Sequence, residues 1–405
     1  EGTVNYRMRD WIFSRQRYWG EPIPIIHCGA CGEVRVPEDD LPVLLPHVER
    51  YEPTGTGESP LAAITEWLQV ACPDCGGPAV RETDTMPQWA GSCWYFLRYA
   101  SPACDTALVA PGAVRDWLPV DLYVGGIEHA ILHLLYARFF VKFLYDIDAV
   151  PFDEPFTRLF NQGMIVRRSE LTGKLEKMSK SKGNVVNPDD LVGSYGTDSV
   201  RLYELFIGPP EEGSEWSDRG IEGMYRFLRR AWNWVLAVAP GADGETAEAV
   251  ARPLHVMVKS VGERLESFRF NTAISAMMEF LNAVTRPEAA GEPVGRNTIR
   301  AFLITLAPFA PHMAEELWER LGGVDSIFRQ RFPTYDEALT QVSETVVAVQ
   351  INGKVRGTVT VATDSPETVA QEAALSDARV QRHLADKSIV KTIFVPNRIL
   401  NLIVR

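Results

Sequence analysis

Along most of residues 218–330, apolar positions recur every three to four residues, as in Ile221–Val238, Phe270–Val284 and Thr298–Leu321. That period predicts amphipathic helices packed as a bundle, with Pro308 and Pro311 interrupting the last of them. Beyond it the period changes to two. Residues 346–362 alternate apolar and polar around Asn352-Gly353, the pair that favours a tight hairpin turn. A helix near 365–385 and a strand near 389–404 complete a small α/β domain over 346–405. Upstream, Val120–Gly126 is a short apolar run that ends in Gly-Gly and leads directly into an amphipathic helix over Ile127–Tyr145. A strand–Gly-Gly–helix unit is what a doubly wound α/β domain places at its ligand crevice. Residues 1–26 predict a basic strand-and-turn segment, in which Arg7, Arg9, Arg15 and Arg17 interleave with Trp11, Tyr18 and Trp19. Residues 27–80 carry many Pro and Gly and no helical period, the pattern of a small inserted module.

At 405 residues the chain exceeds what one ordinary core accommodates, so several domains are expected. It is 46% hydrophobic and 23% charged, the balance of a soluble globular protein. The longest apolar stretch, Ile127–Tyr145, is broken by His129, His133, Arg138 and Lys142, so no segment predicts a membrane span. The opening Glu1-Gly2-Thr3-Val4 has neither an initiator Met nor a basic signal region, which predicts a fragment, and six cysteines, four of them paired, suit metal binding in a reducing cytosol better than a secreted disulfide scaffold. A net charge of −12 argues against blanket nucleic-acid binding and leaves room for local basic patches.

Four of the six cysteines form two pairs, Cys28-Gly-Ala-Cys31 and Cys72-Pro-Asp-Cys75, separated by 40 residues. Four thiolates at this spacing, beside glycines that let the backbone turn, predict one structural tetrahedral zinc site with no open position for catalysis. His27 adjoins the first pair as a bystander, and Cys93 and Cys104 read as packing residues.

Lys177-Met178-Ser179-Lys180-Ser181-Lys182-Gly183-Asn184 predicts a mobile cationic loop of the kind that folds over a polyphosphate. Asn187-Pro188-Asp189-Asp190 then predicts a turn and a helix start. Gly125-Gly126-Ile127-Glu128-His129 supplies glycines for close backbone approach to a ligand and a carboxylate, Glu128, able to bind ribose hydroxyls. His129 and His133 stand four apart on one helical face, but Ala130 occupies the position where a zinc protease needs its Glu, so that reading is rejected.

Taken together these segments resemble leucyl-tRNA synthetase, a class I aminoacyl-tRNA synthetase. The Lys-Met-Ser-Lys-Ser run matches the signature loop of that class. Gly125–Ala130 with the Ile131–Phe139 continuation resembles the leucyl enzyme rather than its isoleucyl or valyl relatives. So do Glu82-Thr83-Asp84-Thr85-Met86 leading into Trp89–Tyr95, Tyr6–Trp11, Ser14–Gly20, Phe270–Ala273 and Gln350–Arg356. The class's other signature, of the His-Ile-Gly-His type, is missing from these residues, as is the editing domain. Only a dozen residues separate Gln162-Gly163-Met164 from the lysine loop, so the leucine-specific insertion of some members is missing too.

The resemblance implies an α/β plus all-α fold: the second half of a doubly wound Rossmann-type catalytic domain (1–26 and 81–217), a zinc-ribbon-like insertion (27–80), a helical tRNA-binding domain (218–335) and a small C-terminal α/β domain (346–405). It implies ATP-dependent attachment of leucine to its tRNA through leucyl-adenylate, with Mg²⁺ accompanying ATP. A natural split subunit or a fragment would need the N-terminal half for activity; a noncatalytic tRNA-binding module is the alternative. By resemblance Lys180, assisted by Lys177, holds the β- and γ-phosphates, and Gly125, Gly126 and Glu128 contact the adenosine ribose. Trp89, Ser92, Tyr95 and His133 line the leucine pocket, although the family often has Phe where Trp89 stands. Arg219, Arg226, Arg229 and Arg230 at near-helical spacing, and Lys354 and Arg356 beside the Asn-Gly turn, are expected to contact the tRNA backbone, as is the stretch 387–405, which has no acidic residue.

Overall fold

The computed structural model describes residues 3, 11–49, 55, 57–341, 344–384 and 387–405. Arg7 and Arg9 lie outside the described residues. The chain folds as two compact units, Glu1–Met164 and Ile165–Arg405.

The first unit opens with an antiparallel sheet of order β2-β1-β4-β3, built from β1 (Ile25–Cys28), β2 (Gly32–Arg35), β3 (Gln69–Ala71) and β4 (Pro78–Arg81). Each hairpin turns at a cysteine pair. The short helix α1 (Thr65–Leu68) leads into β3, and α2 (Gln88–Ser92), α3 (Tyr95–Ala100) and α4 (Pro111–Trp117) follow the sheet. β5 (Tyr123–Gly126) and β6 (Leu159–Gln162) pair in parallel, with α5 (His133–Asp146) as the crossover between them. The predicted continuous helix from Ile127 is not formed. Ile127–Ile131 is a 3₁₀ turn, and Leu132 at φ −116°, ψ −109° breaks the chain before α5 begins at His133. α5 buries His133, Ala137, Val141 and Leu144 along one stripe, which packs on Phe96 and Leu97 of α3.

The second unit begins with a three-stranded sheet of order β8-β7-β9, made of β7 (Ile165–Arg168), β8 (Leu175–Lys177) and β9 (Ser214–Glu215). Two helices, α6 (Pro188–Tyr195) and α7 (Thr197–Phe206), lie between β8 and β9. α6 starts as its sequence predicts, with Pro188 in the first turn and the Asn187 side chain accepting the Asp189 N–H at 3.2 Å. The bundle comprises α8 (Gly220–Val238), α9 (Glu248–Glu266), α10 (Phe270–Val284), α11 (Arg296–Leu306) and α12 (Pro311–Arg320), followed by the short α13 (Glu337–Thr340). Its centre is an aromatic cluster in which Trp234, Phe280 and Phe302 meet with ring centroids 5.3–5.5 Å apart. The core is continuous with the sheet end, since Ile165, Met178 and Val186 pack against it.

Residues 344–404 form a mixed sheet of order β11-β10-β13-β12, from β10 (Glu344–Ile351), β11 (Lys354–Ala362), β12 (Ile389–Val395) and β13 (Ile399–Val404). β10 and β11 join at Asn352-Gly353, both at positive φ. The single helix expected near 365–385 is two, α14 (Glu367–Ser376) and α15 (Ala378–Leu384), because extended Asp377 intervenes and its carboxylate accepts the Arg379 and Val380 N–H groups. The single strand expected near 389–404 is a hairpin that turns at Asn397, φ 61°.

Helix α12 has no cap of its own, for Ala310 at its N-cap offers no side-chain acceptor. Asp198, in the first turn of α7, supplies it instead. Its carboxylate is buried and accepts the N–H groups of His312 at 3.3 Å and Met313 at 2.7 Å. Asp198→Ala leaves two helix-terminal donors without a partner and is expected to cost about 1–3 kcal/mol. A urea titration followed by tryptophan fluorescence reads this as a lower midpoint, with Asp198→Asn in between. An unchanged midpoint in the Ala variant contradicts the assignment.

Candidate functional site

The four paired cysteines converge. Their sulfurs all lie within 4.8 Å of one another, and Cys28 Sγ and Cys75 Sγ are 3.7 Å apart. A Zn–S bond of about 2.3 Å in a tetrahedron separates sulfurs by about 3.8 Å, so the donor set fits that ion. Gly32 (φ +81°) and Gly76 (φ +71°) turn the backbone behind the two pairs, and the Cys31 N–H points at Cys28 Sγ at 3.4 Å. Backbone N–H groups of Cys31 and Ala30 draw the Cys28 thiol down to about 7, whereas its neighbouring thiols push Cys31 up to about 12. Crowded thiols cannot share negative charge without a cation among them. His27 is a bystander: its Nε2 pairs with the Glu82 carboxylate at 2.9 Å. Burial raises the Cys93 thiol to about 12, as suits a packing residue.

A second cluster lines a cavity of about 330 Å³ in the first unit. Trp89 and Ser92 come from α2, Tyr95 from the start of α3, Gly125 and Gly126 from the end of β5, and His133 from the first turn of α5. The two glycines differ in role. A Cβ at Gly126 would collide with the Glu128 carboxylate, whereas one at Gly125 would meet nothing within 4 Å, which leaves open space against the backbone there. Glu128 is exposed on the 3₁₀ turn beside Gly126.

His129, which its Gly-Gly-Ile-Glu context points towards a site, lines the cavity too, and so do Tyr123 and Asn161, which were not singled out from the sequence. Tyr123 is the hub of a hydrogen-bond chain. Its hydroxyl lies 2.9 Å from the Tyr95 hydroxyl and 2.6 Å from His133 Nε2, and His133 Nδ1 lies 3.3 Å from Ser92 Oγ. Burial and the Tyr95 hydroxyl push the Tyr123 phenol up, so it keeps its proton and donates to Nε2. That leaves the His133 proton on Nδ1, where it donates to Ser92 Oγ. Burial, and then His129, hold His133 below the ordinary imidazole value of 6.5, so the ring is neutral. Tyr123 is also fixed from behind by stacking on Phe156 at 3.8 Å and 12°. Asn161 Oδ1 and His129 Nδ1 are buried without a partner among the described residues, two polar atoms left over at this cavity. The signal for Asn161 was its place at the end of the strand after α5, opposite Gly125 in the parallel ladder.

The lysine loop belongs to the second unit. It runs from the end of β8 through a 3₁₀ turn at Lys180–Lys182 and closes at Gly183, φ +61°. Lys177 and Lys180 are both exposed. Lys182 is paired with Glu176 at 2.7 Å, and among the described residues the Lys180 ammonium makes no ion pair.

The basic residues of α8 divide. Arg226 and Arg229 are exposed, with Arg229 over the Tyr225 ring at 5.8 Å. Arg230 donates to Asn282 Oδ1 at 2.9 Å and Thr285 Oγ1 at 3.3 Å, which ties α8 to α10. Lys354 and Arg356 are exposed on β11. A larger cavity of about 460 Å³ in the second unit is lined by Tyr195, Tyr225, Trp232 and His312, residues that no motif singles out. Among the described residues no helix is long and apolar enough to cross a membrane.

Residues 4–215 match the family model of class I tRNA synthetases (I, L, M and V), and residues 248–371 match that of the anticodon-binding domain of tRNA ligases. A similar solved structure is a leucyl-tRNA synthetase of Agrobacterium radiobacter K84, determined as a ternary complex with tRNA and LeuAMS. It is 38% identical at a TM-score of 0.76, and the match covers 99% of this chain and 52% of that one. The chain thus spans about half the length of that relative. A more distant likeness is to the Mycobacterium tuberculosis methionyl-tRNA synthetase bound by methionyl-adenylate, 21% identical at a TM-score of 0.45 over 64% of this chain and 54% of that one. The first family model alone spans more than half of the 405 residues, and the chain belongs to the class I aminoacyl-tRNA synthetases of the isoleucine, leucine, methionine and valine group.

Proposed function

We propose that this chain carries out its part of leucine–tRNA ligation: leucine and ATP form leucyl-adenylate, and the leucyl group then passes to the terminal ribose of its tRNA. The observation that carries the reading is the cavity in which Trp89, Ser92, Tyr95 and His133 gather around Gly125. Its apolar walls suit a branched aliphatic side chain, and its unpartnered Asn161 and His129 atoms suit polar groups of the same ligand. Neither chemical step needs a protein nucleophile, so catalysis is positioning and charge stabilisation. In-line attack of the leucine carboxylate on the α-phosphorus expels pyrophosphate, and Lys180, assisted by Lys177, is assigned to the β- and γ-phosphates. Gly125, Gly126 and Glu128 are assigned to the ribose. Arg226, Arg229, Lys354 and Arg356 are assigned to tRNA phosphates, with Arg230 serving the bundle as well. We assign the ATP-binding signature to an N-terminal half of the synthetase, in the same polypeptide or a partner. Exposed apolar groups on the first unit, among them Val124, Phe139 and Phe143, support a further packed segment there.

Pyrophosphate exchange, with that half supplied, tests the reading across leucine, isoleucine, valine and methionine. Leucine alone is expected to support robust exchange, and Lys180→Ala is expected to lower the rate by about two to three orders of magnitude. Equal exchange with methionine, or a wild-type rate in the lysine variant, contradicts it.

His133 gives a pH signature. Its depressed pKa means that a disordered pocket takes up the proton before the folded one, so the pocket's order is lost as pH falls below the ordinary value. The leucine KM is therefore expected to rise from about pH 7 down to about pH 5.5. His133→Ala is expected to raise it at neutral pH by roughly tenfold or more and to flatten that dependence. An unchanged KM returns His133 to the core.

Cys28, Cys31, Cys72 and Cys75 are assigned one structural zinc ion. Metal analysis of protein purified without chelator is expected to return about one zinc per chain, and Cys72→Ser to abolish it while leaving the bundle's helical signal intact. A zinc content near zero in wild-type protein contradicts the assignment.

A further inference from the structure

Two of the polar side chains most completely buried in the second unit, Ser169 (1% exposed) and Asn184 (0%), meet the backbone of the lysine loop. The Asn184 Oδ1 accepts the Ser179 N–H at 2.9 Å. Its Nδ2 donates to the Arg167 carbonyl on β7 at 3.0 Å, and the carbonyls of Glu176 and Lys177 lie 3.4 Å away. One amide thus joins the strand β7, the end of β8 and the residue just before Lys180. Gly183 at φ +61° reverses the chain so that this side chain turns back beneath the loop. On the other flank, Ser169 Oγ donates to the Lys182 carbonyl at 3.0 Å and accepts the N–H groups of Leu171 and Thr172, each at 3.2 Å. The Lys182 ammonium is meanwhile held by Glu176.

We propose that Asn184 and Ser169 are positioning residues that set the backbone on both sides of Lys180, so that this lysine meets its phosphate from a loop of set internal shape while Lys182 is withheld from the same task. The inference deepens the ligase reading and rests on it. Burying an asparagine amide is costly unless its donors and acceptor are satisfied, and here all are satisfied by loop and sheet backbone. These bonds give Ser179–Asn184 a defined internal shape, so the segment can carry Lys180 as one body when it meets the phosphates, and a set shape is what lets one charge stabilise a transition state well.

The test uses the chain assembled with its ATP-signature half, in leucine-dependent pyrophosphate exchange. Asn184→Ala is expected to lower kcat by about 10- to 100-fold, the scale of a misplaced catalytic group, with the leucine KM held within about twofold. Asn184→Asp keeps the acceptor but turns a carboxylate on three carbonyls, and is expected to fare no better; Ser169→Ala is expected to show the smaller loss. The deciding readout is the double variant Asn184→Ala/Lys180→Ala, expected to be no slower than Lys180→Ala alone because the amide acts through that lysine. Additive losses, or a loss of kcat matched by a loss of folded protein in thermal melts, overturn the proposal. Amide exchange at Ser179, expected to quicken at least about tenfold in Asn184→Ala, reads the clamp independently of activity. Unchanged exchange at Ser179 overturns the clamp itself. A wild-type protein with no leucine-dependent exchange but a protected Ser179 overturns the ligase reading and leaves the clamp standing.

Discussion

A single buried carboxylate ties two helices of the second unit together across more than a hundred residues of chain. Asp198 stands in the first turn of α7, where negative charge favours the helix, and its oxygens also cap α12. Proline starts α12 well but leaves it with alanine at the cap, so the capping group has to come from elsewhere. The consequence reaches the chemistry. α6 and α7 follow the lysine loop directly, and Met178 and Val186 pack on the same core as Trp234, Phe280 and Phe302. The flanks of the loop are therefore packed on the bundle core. With Asn184 and Ser169 beneath it, the position of Lys180 follows from packing and buried polar bonds.

The first unit gathers neutral polar groups around a cavity of about 330 Å³. Its hydrogen-bond chain runs Tyr95, Tyr123, His133, Ser92, and each link sets the next. Tyr123 stacks on Phe156 and cannot swing, so the histidine tautomer is imposed by the scaffold. Such a wall offers shape and satisfied hydrogen bonds with a neutral histidine at its centre.

Much of this was legible in sequence. The apolar period marked α10 with the bounds Phe270–Val284 and α8 to within a residue, and Pro308 and Pro311 marked the gap between α11 and α12. Asn352-Gly353 marked its hairpin. The failures have local causes. Gly126 could not carry a strand straight into an α-helix, because Leu132 breaks the path and spaces His129 from His133 as turn and helix, not as one face. Asp377 splits a helix and Asn397 folds a strand because short polar side chains accept backbone N–H groups and tolerate positive φ. At the site, motif residues announced themselves, but Tyr123 and Asn161 depend on which strands pair. The β5–β6 register brings Gly125 opposite Asn161 across a whole helix, and no spacing along the chain encodes that.

For the leucyl-adenylate of the proposed reaction two cavities come into question, the one around Trp89, Tyr123 and His133 and the larger one around Tyr195 and Trp232. We assign the ligand to the first, despite the greater volume of the second, because Asn161 Oδ1 and His129 Nδ1, without partners among the described residues, and an open glycine face lie there. The most direct measurement is photo-crosslinking of a leucyl-adenylate analogue to the chain paired with its ATP-signature half, followed by peptide mass spectrometry. The account predicts adducts within 89–95, 123–133 or 159–162, suppressed by excess leucine with ATP. Adducts confined to 195–233 or to His312 would contradict it.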